Sequence, residues 1–231
     1  MTTLQHLAPE PAVPVGDTTP PLDRGERRCR IGPLTIRWDP RVLEPRPWSF
    51  EQSRWAVEVA RDAGPGPLVE LCSGAGHIGL AAALLSGRRL VQVDASAAAC
   101  ELARLNAAAA GLAGSTEVVC GDLATAALPS GVPIVIADPP YLPSSEVDAF
   151  PDDPVLAVDG GDDGLELIRA CVRTAERILA PSGTLLLQVW GEAQAQEVER
   201  EVSTTLTPTD VRVFGPTRAL MRFDADRRRH G

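Results

Sequence analysis

The residues best suited to chemistry are Ala137-Asp138-Pro139-Pro140-Tyr141, which follow an apolar run at residues 132–136. An apolar run stopped by two prolines predicts a buried strand with an abrupt end. Neither proline has an N–H, so the turn leaves backbone carbonyls, that of Pro139 among them, unclaimed by a sheet. Those carbonyls, the Asp138 carboxylate and the Tyr141 ring would converge at a strand end, where open α/β sheets bind their ligands. Acceptors beside an aromatic ring suit a planar N–H-bearing group: an amide, an amine or a nucleobase edge.

A second constellation lies upstream. Leu68-Val69-Glu70-Leu71-Cys72 reads as a strand, Ser73-Gly74-Ala75-Gly76 as a tight turn, and helical periodicity follows through Ile78, Ala81, Ala82 and Leu85. Glycines in such a turn let the backbone approach a ligand closely. The three-glycine dinucleotide fingerprint fits poorly, because Cys72 stands at its first glycine. A strand at residues 90–93 ends in Asp94, 24 residues beyond Glu70, placed to accept both hydroxyls of a ribose. Another at 117–120 ends in Gly121-Asp122-Leu123, where a carboxylate could receive an adenine amino group. Acidic residues closing successive strands in register with a glycine turn point to a nucleoside site.

In this order E-L-C-S-G-A-G, V-D-A-S, G-D-L and D-P-P-Y resemble the motifs of class I S-adenosylmethionine-dependent methyltransferases. The nearer resemblance is to the HemK/PrmC group, which methylates the side-chain amide of a glutamine in peptide-chain release factors. Residues 157–167, containing Asp159-Gly160-Gly161-Asp162-Asp163-Gly164-Leu165, are similar to that group's D-G-G stretch. Residues 42–50 resemble the segment leading into its catalytic domain, which adds Ser49 to the cofactor side.

The resemblance spans roughly residues 38–223. It implies a Rossmann-like α/β fold, with a mostly parallel seven-stranded sheet, helices on both faces and a final antiparallel strand pair. It also implies S-adenosylmethionine as cofactor. Glu70, Ser73, Gly74, Gly76, Asp94, Asp122, Leu123 and Ser49 would bind it, and Asp138, Pro139 and Tyr141 would hold the acceptor nitrogen. The chain departs from the group at Asp138, where release-factor enzymes carry asparagine. An ionised carboxylate only accepts hydrogen bonds, whereas an amide also donates. Asp at this position also occurs in nucleobase amino-methyltransferases. The layout is nearer the short HemK-like form, which lacks an N-terminal helical domain and works with a separate small subunit. Release-factor glutamine, a small-molecule amine or amide, and a nucleobase are the acceptors in contention, in that order.

Around these motifs the 231 residues fit one domain. Residues 1–27, rich in proline, read as a flexible arm, and residues 28–231 as a single methyltransferase domain opened by a small hairpin and helix. The hairpin is expected at residues 30–38, around Gly32-Pro33. Ser49 with Gln52 three residues on reads as a capping box, with Trp55 and Val59 on the helix's apolar face. Further helices are expected at 77–86, 96–111, 164–179 and 192–206. The strongest strand is at 184–190, and the closing pair is at 211–214 and 219–223.

No apolar run has the length of a membrane span and no leader opens the chain. Five scattered cysteines argue for reduced thiols in a cytoplasm. His6, His77 and His230 have no metal-binding spacing, and His77 reads as an ordinary first-turn residue. All 22 basic residues are arginine, which reflects coding bias. The net charge is −9, and between Arg104 and Arg169 lie eleven acidic residues and no basic one. Nucleic-acid binding neutralises phosphates with basic side chains, so a nucleic-acid partner is not expected. Arginines at 24–30, 37–54 and 227–229 are the one source of a basic rim.

Overall fold

The computed structural model describes residues 25–201 and 205–226. Within them an antiparallel hairpin, β1 (Arg27–Ile31) and β2 (Leu34–Trp38), precedes a seven-stranded sheet. The sheet strands are β3 (Leu68–Leu71), β4 (Leu90–Asp94), β5 (Thr116–Cys120), β6 (Val132–Ala137), β7 (Leu179–Val189), β8 (Leu206–Gly215) and β9 (Arg218–Ala225). Their spatial order is β5-β4-β3-β6-β7-β9-β8. The first five neighbours pair in parallel, and β9 is antiparallel to both β7 and β8. After β5 the chain crosses to β6, on the other side of β3. The strand order therefore reverses at β3/β6, and a crevice opens there at the strands' C-terminal ends.

Helices cover both faces. On one side lie α1 (Phe50–Ala60), α2 (His77–Ser86) and α3 (Ala97–Ala109), packed with the hairpin around Ile134, Ile136, Leu186 and Leu220. On the other, α5 (Glu166–Ile178) and α6 (Gly191–Glu201) pack on Val135, Ala137, Leu185 and Leu187. The alternation of consecutive strand residues between the two cores is the two-residue period of a doubly covered sheet. The one-turn helix α4 (Val155–Val158) sits in the long segment between β6 and α5.

Three local readings change. The capping box at Ser49 does not form: a single 3₁₀ turn, Pro47–Ser49, precedes α1, and Ser49 makes no cap hydrogen bond. Both side chains are buried and serve deeper partners. Ser49 Oγ donates to Arg46 O at 2.7 Å, and Gln52 Nε2 donates to Ala137 O and Leu186 O, each at 3.0 Å. The strand expected at 184–190 begins earlier, at Leu179, with Pro181-Ser182-Gly183 forming a kink inside β7, Ser182 at φ +61° and a register shift against β6. Finally, α6 is described to Glu201 and β8 starts at Leu206, so the helix does not reach residue 206, where Thr205, Thr207 and Pro208 disfavour helix. Residues 1–24 and 227–229, holding most of the expected arm and one arginine cluster, lie outside the described residues.

Candidate active site

The turn after β3 runs over buried hydrogen bonds. Gly76 has φ +82°, and a Cβ there would meet Gln92 Nε2 at 2.6 Å, so only glycine fits. Gln92 Nε2 donates to Gly76 O at 3.0 Å and to Glu70 Oε2 at 2.6 Å, while Gly79 N donates to Glu70 Oε1 at 3.0 Å. Glu70 thus points under the turn and away from the cavity, and burial raises its pKa to about 8. From the other side, Asn106 Nδ2 donates to Ala75 O and to Arg37 O, tying the turn to the hairpin. Cys72 carries the strain that a glycine would avoid, at φ +55°. Its Sγ lies 3.8 Å from that of Cys171 on α5.

Beside the turn, β4 ends in Asp94. Gly74 N donates to Asp94 Oδ2 and Ser96 N to Oδ1, both at 2.8 Å. Each oxygen keeps a further lone pair for a ligand hydroxyl. Asp122, after β5, accepts from Ala124 N at 2.7 Å and is exposed at the same cavity, with Leu123 beside it. His77 opens α2 buried: its Nε2 shares a hydrogen bond with Ser49 Oγ at 2.9 Å, and burial lowers its pKa to about 4, so it is neutral. His77 Nδ1 and Ser73 Oγ are buried without a partner.

The cavity these residues line has a volume of about 790 Å³ and continues to the end of β6. There Asp138 accepts no hydrogen bond from any described residue, and desolvation lifts its pKa to about 7. The Tyr141 ring packs against Trp190, centroids 5.8 Å apart, and Phe150 meets Trp190 edge-on at 6.0 Å. Trp48, Pro139, Leu156 and Gln188 complete the walls of this end.

The D-G-G segment fixes that aromatic wall. Gly160 N donates to Leu142 O at 2.8 Å, Leu142 N to Val158 O at 3.0 Å, and Gln194 Nε2 to Tyr141 O at 2.9 Å. A Cβ on Gly160 would lie 2.9 Å from Tyr141 Cα, and one on Gly164 2.6 Å from Tyr141 O. Small residues are required because the two loops touch backbone to backbone.

Of the residues singled out in the sequence, Ser49, Ser73, Gly74, Asp94, Asp122, Leu123, Asp138, Pro139 and Tyr141 line this one cavity, whereas Glu70 and Gly76 support it from below. Sequence reasoning missed Gln52, Gln188, Trp190, Phe150 and Asn106. It looked for a basic rim only in residues 24–54 and 227–229. Arg41, Arg46, Arg173, Arg177 and Arg218 reach the cavity from other segments. Arg41 is paired with Asp39 and Glu101, and Arg46 with Asp153 and Glu44. Arg218 lies over the Trp48 ring at 5.5 Å. Among the described residues no His, Cys, Asp and Glu group could hold a metal ion, and no helix is long and apolar enough to cross a membrane.

The family profile "Methyltransferase small domain" matches residues 53–150. A release factor glutamine methyltransferase of Mycolicibacterium smegmatis is 35% identical over 189 residues, 78% of this chain and 65% of that protein. A 4-amino-L-phenylalanine/4-methylamino-L-phenylalanine methyltransferase of Streptomyces pristinaespiralis is 36% identical over 161 residues, 64% of this chain and 54% of that protein. Among solved structures, the hMettl16 catalytic domain in complex with a MAT2A 3'UTR hairpin aligns with a TM-score of 0.64 at 14% identity, covering 85% of this chain and 75% of that one. The chain spans less than two thirds of the length of these curated relatives.

Proposed function

Because the chain belongs to the class I methyltransferases and is HemK/PrmC-like, we propose that it transfers the methyl group of S-adenosylmethionine to an amide or amine nitrogen. The leading acceptor is the glutamine side chain of a peptide-chain release factor or similar protein. One observation carries the reading: Asp138 stands without a partner in the same cavity as Asp94 and the open Gly74 turn.

The cofactor end suits the group. Asp94 has lone pairs for a ribose diol, Ser73 Oγ and His77 Nδ1 await partners, and no neighbour lies within 4 Å of a Cβ built on Gly74. When bound, S-adenosylmethionine supplies an electrophilic methyl on a sulfonium that leaves as a neutral thioether. Asp138, with the Pro139 carbonyl beside it, accepts an N–H of the acceptor and aims its lone pair, a contribution of proximity and orientation. Tyr141 and Trp190 cover the planar group and exclude water. The methylated nitrogen sheds one proton, and a carboxylate raised to about 7 is matched to hold it.

The release-factor names of several relatives support a protein acceptor. So does Leu156, 70% exposed where it lines the cavity, with Val155 beside it 59% exposed, a surface on which a partner chain or a small activating subunit could rest. A small aromatic amine is the second reading, favoured by Asp138, by the Trp48, Phe150 and Trp190 walls, and by the aminophenylalanine relative. Nucleic acid is not part of the proposal, since two of the rim arginines are already paired with carboxylates. The five free cysteines fit a reducing cytoplasm. Incubation with labelled cofactor against release factor, an aryl-amine panel and an oligonucleotide tests all of this. Label on release factor supports the first reading and label on an aryl amine the second. Label on the oligonucleotide, or on nothing, defeats it.

A further inference from the structure

Gln188 sits on β7 in the run Leu185-Leu186-Leu187-Gln188-Val189, which is otherwise apolar and buried. An amide there needs partners on both ends. Its side chain faces the Tyr141 hydroxyl, yet Oε1 is buried without a partner among the described residues, and the residue lines the cavity. The register explains where it stands. Ala137 on β6 is paired with Leu187 on β7 in a parallel ladder, so Asp138 and Gln188 are the next residues along two adjacent strands. Gln52 holds the carbonyls of Ala137 and Leu186 just before them. Two acceptors with nothing to accept therefore end neighbouring strands beside one ring.

We infer that Gln188 is a further acceptor-binding residue: its Oε1 and the Asp138 carboxylate take the two hydrogens of a primary –NH2 group. This rests on the methyltransferase reading and narrows its substrate class to primary amides and primary aryl amines. Two acceptors fix the plane of the –NH2 group, and its lone pair then lies along the normal to that plane, the direction from which a methyl must arrive. In the transfer the nitrogen lone pair forms the N–C bond as the C–S bond breaks, and the nitrogen gives one of these two protons to Asp138. The product has a single N–H and a methyl in place of the other, so one of the two acceptors is left without a donor. The site is thereby selective for the first methylation.

Sinefungin tests the pair without the acceptor being known, because it carries an amine where S-adenosylmethionine carries its methyl. Calorimetry should compare sinefungin with S-adenosylhomocysteine in the wild type, Gln188→Met and Gln188→Glu. Loss of a hydrogen bond to a charged amine predicts that the preference for sinefungin falls at least about tenfold in Gln188→Met. Gln188→Glu, which keeps an acceptor oxygen, should retain it, and S-adenosylhomocysteine affinity should change in neither variant. Gln188→Ala reads the same ratio if the methionine variant does not fold. In a crystal of the wild-type complex the amine should lie within hydrogen-bonding distance of both Oε1 and Asp138. An unchanged ratio with S-adenosylhomocysteine still bound, or an amine turned away from Gln188, overturns the inference and leaves the methyltransferase reading standing. Failure of the wild type to bind either nucleoside overturns both.

Discussion

At the β4 end of the cavity Asp94 has one lone pair on each oxygen engaged by a backbone N–H, and the turn beside it is fixed by Gln92, Glu70 and Asn106. At the β6 end Asp138 and Gln188 Oε1 have no such partner, and the walls are side chains drawn from segments far apart in sequence. At the first end the backbone already holds the acid before any ligand arrives, and only Ser73 Oγ and His77 Nδ1 are left open. The second has hydrogen-bonding capacity left over, and desolvation shows as a raised Asp138 pKa. Binding and turnover should therefore separate between the two ends.

The largest effect is expected at Asp138. Asp138→Ala should lower turnover at least about a hundredfold, a few kcal/mol of transition-state stabilisation, with cofactor affinity nearly unchanged. Asp138→Asn sharpens the comparison: its carbonyl still accepts an N–H but cannot take the proton, so a neutral amide acceptor should be methylated faster than by Asp138→Ala and more slowly than by wild type, and a cationic amine should not be methylated. Only the ionised carboxyl accepts two ways, so wild-type kcat/KM should rise with pH through about 7, and the asparagine variant should lose that rise. Steady-state kinetics over pH 5–9 with calorimetry of the cofactor, an assay range of roughly two units either side of the carboxyl, would read both. A parallel loss of cofactor binding would erase the distinction between the ends.

Asp94 is the converse case. Asp94→Ala removes charge-assisted hydrogen bonds of roughly 1.5–3 kcal/mol each, so cofactor should bind at least about tenfold more weakly. At saturating cofactor, turnover should be close to wild type. Unchanged affinity in a titration of the folded variant would remove the ribose assignment.

The same division decides what could be read from the sequence. Strand, glycine turn, helix and strand-end acid are set by local backbone needs, so residues 68–76, Asp94 and Asp122 stand out in a linear text. The D-G-G segment was visible as a motif, but its purpose, backbone contact with Tyr141, needs the fold. Gln52 was taken for half of a capping box because a helix start offers Ser and Gln that role. In the fold both are buried, and sheet carbonyls claim Gln52. Gln188 left a signal that went unused, a lone amide closing an apolar strand. The charge argument named residues 37–54 as a source of a basic rim but missed Arg173 and Arg218, because it ran along the chain, whereas the topology brings them to one opening with Arg41 from three separate segments.

Glu70 offers the smallest test, since it serves the β4 end only from beneath. Its carboxyl accepts from Gly79 N and Gln92 Nε2, yet burial outweighs both and raises the pKa from 4.5 to about 8. A carboxyl whose folded pKa exceeds its unfolded value binds its proton more tightly when folded. Its stabilising contribution is complete below about pH 4.5 and is lost as pH rises through about 8. Glu70→Gln carries no charge to bury, and its amide can donate to Gln92 Oε1, which has no partner. Asp138 adds a slope of the same sign in both proteins, so the readout is the difference between them. Urea denaturation should find the variant roughly 1 kcal/mol more stable than wild type at pH 8.5, and equal or slightly less stable at pH 5. A variant weaker at both pH values would mean that the ionised carboxylate itself holds the turn.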